Sequence, residues 1–372
     1  MTGRERLERT IDGLPVDRIP ITTILDETTR RAMPPEWKDI SAFEFFRKAG
    51  YDQLQFGDMG LRTGERTTPP FRINHAYTME YEIRGNVQIE RRTMDGQTLE
   101  LHRRDGHPIK HPVTTEEELE LVCKMYEADE VEELTGEELA ASLASYDNVN
   151  ELMGDNGIYI PIVSPSGVQH MLEYECGLMA FYDLLDECPE LMERTIEAIQ
   201  RQRQRQYELF AKHLTWAKTV IPVENTSSLL ISPSLYRRYT LPHMQKYAQT
   251  MHSYGKKAII HMCGALKDLL PEFKEIGLDG IHALTPPPIG TCPFETALDV
   301  LGDDLIVLSA FDTAVLRDET LSREEKMAAM RDAMTPRIKA GNFALGIGSD
   351  GIETSMELFD VVRDAILEYG RK

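Results

Sequence analysis

KAIIHMCGALKDLLPEFKEIGLDGIHAL, residues 257–284, holds two short apolar, β-branched runs, 257–262 and 279–284, separated by a helix-like segment that stops at Gly277. Apolar runs alternating with helices are the pattern of a parallel α/β fold. Working outward, the same kind of run recurs at 19–24 (IPITTI), 53–57 (QLQFG), 158–163 (IYIPIV), 219–223 (TVIPV), 305–310 (LIVLSA) and 343–347 (FALGI). Eight strands with helices between them predict an α/β fold of the (β/α)₈ TIM-barrel kind. A doubly wound open sheet is the competitor, but no Gly-x-Gly-x-x-Gly follows an early strand. Helix signals fit the alternation: Ser232-Pro233 opens 233–253, and Ser322 with Glu325 forms a capping-box pattern.

One region breaks the rhythm. Residues 77–113 alternate polar and apolar side chains around Gly85-Asn86 and Asp95-Gly96, which are hairpin turn signals. The reading is one domain, 1–372, carrying a small antiparallel β-hairpin insertion after the second strand. An acidic helical stretch, 114–145, follows within the same 77–145 insertion, and 126–138 reads as exposed helix.

At 372 residues, 41% hydrophobic and 28% charged, the chain can bury a large core. No run of about 18 apolar residues occurs and the first residues have no apolar signal core, so neither membrane nor secretion is expected and a cytoplasmic protein is. Five cysteines, an odd number without scaffold spacing, point to reduced thiols. A formal charge of −21 without a basic stripe excludes nucleic acid as an expected partner. A homodimer is left open.

In a TIM barrel, chemistry sits where strands end and βα loops begin. There the chain places Asp58, Ser164 and Ser166 with His170, Glu224-Asn225, His261 with Cys263, Thr285, Asp312, and Ser349-Asp350. Singly, such residues are ordinary helix caps; seven polar junctions together point to a site. The sharpest signal is His261 and Cys263, two apart and therefore on one face of a strand. An imidazole nitrogen beside a thiolate suits Zn²⁺. A Cys263 nucleophile served by His261, or a purely structural pair, are the other readings of the same spacing.

Longer segments resemble the uroporphyrinogen decarboxylase superfamily. RERLERTIDGLPVDRIPI is similar to its N-terminal motif, ENTSSLLISPSLYRRYTLPHMQK to its acidic-loop and Ile-Ser-Pro segment, IIHMCG to its His-x-Cys-Gly motif, and LGDDLIVLSAFDTAVL to its Leu-Gly segment ending in an Asp loop. The decarboxylases' Arg-Gln-Ala-Gly-Arg-Tyr motif, which pairs with tetrapyrrole carboxylates, is missing; DETTRRAMPPEW, with Arg30 and Arg31, stands in that region. The resemblance therefore implies the branch of methyltransferases that exchange a methyl group between a small substrate and a corrinoid protein. The methyl donor or acceptor would be a methoxyaromatic or a thiol. In that branch the His-x-Cys pair, here His261 and Cys263, binds zinc together with a Cys near the last strand.

This chain has Ser349 and Asp350 there instead, so Asp350 is the expected third ligand, with Glu224 or Cys292 as further candidates. Glu224 and Asp312 are the expected catalytic groups, moving the proton on the leaving or attacking heteroatom, and Asp58, His170 and Asn225 the substrate-binding ones. The cofactors implied are Zn²⁺ and a cobamide that arrives on the partner protein, since the chain has no Asp-x-His-x-x-Gly segment of its own. The alternative is a metal-free decarboxylase or lyase.

Overall fold

The computed structural model describes residues 1–348 and 353–372. Every expected apolar run contains a strand: β1 (Ile21–Thr23), β2 (Gln53–Phe56), β3 (Gly157–Ile160, continued after Pro161 by Ile162–Val163), β4 (Ile221–Pro222), β5 (Ile259–His261), β6 (Gly280–His282), β7 (Ile306–Leu308) and β8 (Asn342–Ile347). All of their pairings are parallel. One ladder runs β1-β8-β7-β6-β5, a second joins β2 to β3, and a third joins the end of β3 to β4. Single contacts continue the order: Asp52 N–H reaches the Ile21 carbonyl at 2.8 Å, and Val223 bridges to His261. This is an α/β fold of the TIM-barrel type.

Alternate residues along the strands explain the interior. Leu54, Phe56, Ile158, Ile160, Ile221, Ile259, Ile306, Leu308 and Ala344 form one buried cluster. Leu7 and Ile11 join it from the helix Gly3–Ile11. That helix lies where the strands begin, because Gly3 packs directly on the Asn156 carbonyl just ahead of β3. At the seam between β8 and β1, Gly346 is required by space: a Cβ there would sit 1.5 Å from the Thr22 carbonyl oxygen.

The excursion after β2 is larger than a hairpin. Strands Thr78–Arg84, Val87–Met94, Gln97–Arg104 and His107–Lys110 form a four-stranded antiparallel sheet. Its third turn is made by Asp105-Gly106, both at positive φ like Asp95-Gly96, which is what a two-residue turn matched to strand twist requires. The exposed helix expected over 126–138 is also corrected. The helix Glu116–Ala128 ends, Glu130–Glu133 pairs antiparallel with Phe71–Asn74, and a second helix, Gly136–Met153, begins. Arg72, which meets both Glu132 and Glu138, and Asn74, which donates to Glu132, hold that strand in place. Among the described residues no helix is long and apolar enough to cross a membrane.

Candidate functional site

Beyond the last apolar layer, the inward positions of neighbouring strands carry imidazoles. His261 and His282 are register partners on β5 and β6, so both rings enter the same level of the interior. Their Nδ1 atoms are 2.7 Å apart. Phe56 comes across from β2 to stack on His282, ring centres 4.5 Å apart and planes 10° from parallel, and lies 5.4 Å from the His261 ring. Burial pulls His261 down to about 4 and, with its neighbour's charge adding to the effect, His282 well below its ordinary value. Both are neutral at pH 7, so one Nδ1 carries the hydrogen and the other accepts it.

Above this floor opens a cavity of about 370 Å³ walled by the loops after the strands, with Thr22, Cys263, Thr285 and Asp312 among its lining. Cys263 is exposed, and its thiol lies 3.6 Å from Asn225 Oδ1. Ala283, immediately after His282, is a non-glycine residue at φ 67°. That left-handed backbone costs about 1–2 kcal/mol. It is held there by its N–H to the Leu308 carbonyl (2.8 Å) and by the Thr285 hydroxyl on its own carbonyl (2.9 Å).

The expected site residues separate into two groups. His261, Cys263 and Asp312 line the cavity, and Asn225 meets it through Cys263. Asp312 also caps the helix Thr313–Arg317, its Oδ1 accepting from Ala314 N–H at 2.9 Å. Glu224, Asp58 and His170 do not line it. Glu224 is fully buried, accepting from Ser166 N–H (2.9 Å) and the Thr226 hydroxyl (2.5 Å), and burial raises its pKa. Asp58 accepts from Thr67 N–H (2.8 Å) and the Tyr159 hydroxyl (3.0 Å), which ties down the loop after β2. Asp350 and Ser349 lie outside the described residues. Cys292 is buried, its thiol pushed up to about 11. Arg30 donates to the carbonyls of Ile40 (2.7 Å) and Gly60 (3.1 Å).

His170 belongs to a different constellation. Arg203, which has only donors, faces its Nδ1 at 3.2 Å, so the hydrogen sits on Nε2, toward the Tyr126 oxygen (2.6 Å) and Glu175 Oε1 (3.2 Å). Burial lowers this ring to about 4. Glu175 in turn takes a two-point bond from Arg92 of the antiparallel sheet. The group locks the excursion onto the loop after β3.

The residue that the sequence reading missed is His282. Its signal was present, since DGIHAL places a histidine at the inward parity that His261 has in KAIIHM. As a zinc site the cavity is half furnished. His261 has its Nδ1 held by His282, and Cys263 lines the same cavity with its sulfur. Among the described residues no group of three His, Cys, Asp or Glu converges to hold a metal ion.

The family model described as uroporphyrinogen decarboxylase (URO-D) matches residues 94–344. No match was found among curated proteins. Among solved structures, a methyltransferase from Methanosarcina mazei superposes with a TM-score of 0.57 at 14% identity, covering 99% of this chain and 99% of its own. A B12-independent methionine synthase from Shewanella sp. W3-18-1, in complex with selenomethionine, gives 0.48 at 12% identity, covering 95% and 96%. At these identities the first likeness is one of fold, and the second adds nothing to it.

Proposed function

The chain belongs to the uroporphyrinogen decarboxylase family, and on that premise we propose that it is a methyltransferase that moves a methyl group between a small methylated substrate and a corrinoid protein. The reading takes the three parallel ladders as one closed eight-stranded barrel with its reaction at the open end. The observation that carries it is the cavity floor: a hydrogen-bonded imidazole pair, with an exposed thiol in the same cavity lining where the strands finish. The similar fold of a protein described as a methyltransferase supports it. So does the placement of Arg30, whose guanidinium is spent on backbone carbonyls rather than on a polycarboxylate substrate.

In this proposal the cavity holds the substrate with its heteroatom over His261 and Cys263. A reduced Co(I) corrinoid on the partner would supply the electron pair for the bond to the methyl carbon; the old bonding pair stays with the heteroatom, and a proton must reach it. In this reading Asp312, which lines the cavity, handles that proton. His282 keeps Nδ1 of His261 occupied, so that Nε2 is the nitrogen left for the site. If zinc binds, His261 and Cys263 hold it with Asp350 as third ligand, and it supplies charge stabilisation at the heteroatom.

Incubation of the enzyme with a deuteromethyl-labelled donor and a reduced corrinoid protein tests the reading. The label is expected on the corrinoid, by mass spectrometry. A second reading, a metal-free decarboxylase, is favoured by the family model's own description. Release of CO₂ from a carboxylated substrate by the enzyme alone, with no label transferred, would put it in first place.

A further inference from the structure

Alongside the cavity over His261 lies a second one of about 330 Å³, between the loops after β6 and β7 and the helices Thr313–Arg317 and Arg323–Ala333. Pro286, Phe311 and Asp312 belong to both linings, so the two spaces are neighbours that share the residue proposed to handle the proton. The side cavity is walled by Phe294, Leu316, Met330, Ala333 and Ile338. Its few polar groups are engaged with protein. Thr335 donates to Glu295 Oε1 at 2.6 Å, Arg337 meets Glu295 Oε2 at 3.2 Å, and Asp312 caps its helix.

Protein interiors are close-packed. A space of this size with an apolar lining, opening beside reactive groups, has the character of a ligand pocket, in which apolar walls hold the body of a ligand and a few polar groups orient its head. The walls are mostly carbon, and a charged body would lose its hydration against them.

We infer that the substrate carries a neutral apolar arm, aryl or short alkyl, that lies in this side cavity while its methyl-bearing heteroatom sits over His261 and Cys263. The inference rests on the methyl-transfer reading and narrows it: compact donors with a charge at the far end are poor substrates. Ala333 and Met330 belong to the side cavity alone, so substitutions there change the arm's room without touching the floor.

The probe is 2-methoxynaphthalene, and binding is followed in two ways. With methionine methyls labelled by ¹³C, the Met330 resonance, assigned by Met330→Leu, should shift when the probe is added, a readout that needs no filling variant to fold. By fluorescence titration, Ala333→Trp should weaken binding at least tenfold. An unmoved Met330 resonance, or equal affinity of wild type and folded Ala333→Trp, overturns the inference. The two readings fail separately. If the probe shifts Met330 but no donor in a panel of methoxyaromatics and methylated thiols methylates cobalt, the apolar subsite stands and methyl transfer falls. If methanol or dimethyl sulfide methylates cobalt while the probe does not bind, methyl transfer stands and the arm falls.

Discussion

Replacing Arg92 by Met should cost about 3–5 kcal/mol, the usual penalty for leaving one buried charge without its partner. The side chains of Arg92 and Glu175 are 4% and 2% exposed, and the guanidinium meets both carboxylate oxygens, at 2.9 and 2.5 Å. Burial by itself would raise the Glu175 pKa, yet Arg92 and His170 hold it below the ordinary value. Without Arg92, among the described residues the carboxylate keeps the Tyr126 hydroxyl at 2.7 Å and His170. Against a typical total of about 5–15 kcal/mol, the loss is large enough to read by urea unfolding at pH 7.

The double variant Arg92→Met/Glu175→Met, which removes both charges, should be more stable than Arg92→Met alone. His170 adds a pH dependence. Its pKa falls from 6.5 to about 4 on folding, so the unfolded chain binds the proton first. Its contribution is complete above pH 6.5 and is lost as pH falls toward 4, up to about 3 kcal/mol at 1.36 kcal/mol per unit. An Arg92→Met protein within 1 kcal/mol of wild type would refute the claim that this pair locks the sheet to the barrel.

Four further outcomes are expected. Gly346→Ala should leave little soluble protein, because the new Cβ meets the Thr22 carbonyl oxygen at 1.5 Å. Gly85→Ala, with nothing within 4 Å and only its φ of +63° to strain it, should cost about 1–2 kcal/mol by thermal melt. A thiol reagent on native protein should modify Cys263 first and lose that fast phase in Cys263→Ser, since Cys123, Cys176 and Cys292 are buried; an unchanged fast phase would place the exposed thiol elsewhere. Elemental analysis of protein purified without chelator should find about one zinc per chain, sharply reduced in Cys263→Ser. Zinc-free protein that takes up none when supplied would remove the metal from the proposal.

The strands were legible because a buried parallel strand is apolar and often β-branched, and helix signals such as Ser232-Pro233 and Gly277 fell between several of the runs. The antiparallel sheet was underread at Asp105-Gly106, the same turn chemistry as Asp95-Gly96 followed by only four more strand residues. Glu130–Glu133 looked helical because three of its four side chains are Glu; its pairing with Phe71–Asn74 comes from a distant segment. Glu224 could have been placed by parity. Ile221 and Val223 face the interior, so the next residue turns to the other side. His170 could not have been: the buried Glu175 beside it is explained by Arg92, 83 positions earlier, and no local pattern links them. The cavity's own pair was half found, His261 by its motif and His282 only once β5 and β6 stood in register.

The most direct test mixes the enzyme with a separately prepared corrinoid protein reduced to Co(I) and offers a panel of methoxyaromatics and methylated thiols. The account predicts conversion of the Co(I) absorbance to that of methyl-Co(III) with at least one donor, and loss of most of that rate in His261→Ala. A spectrum that no donor changes, with CO₂ released from a carboxylated substrate by the enzyme alone, would contradict it.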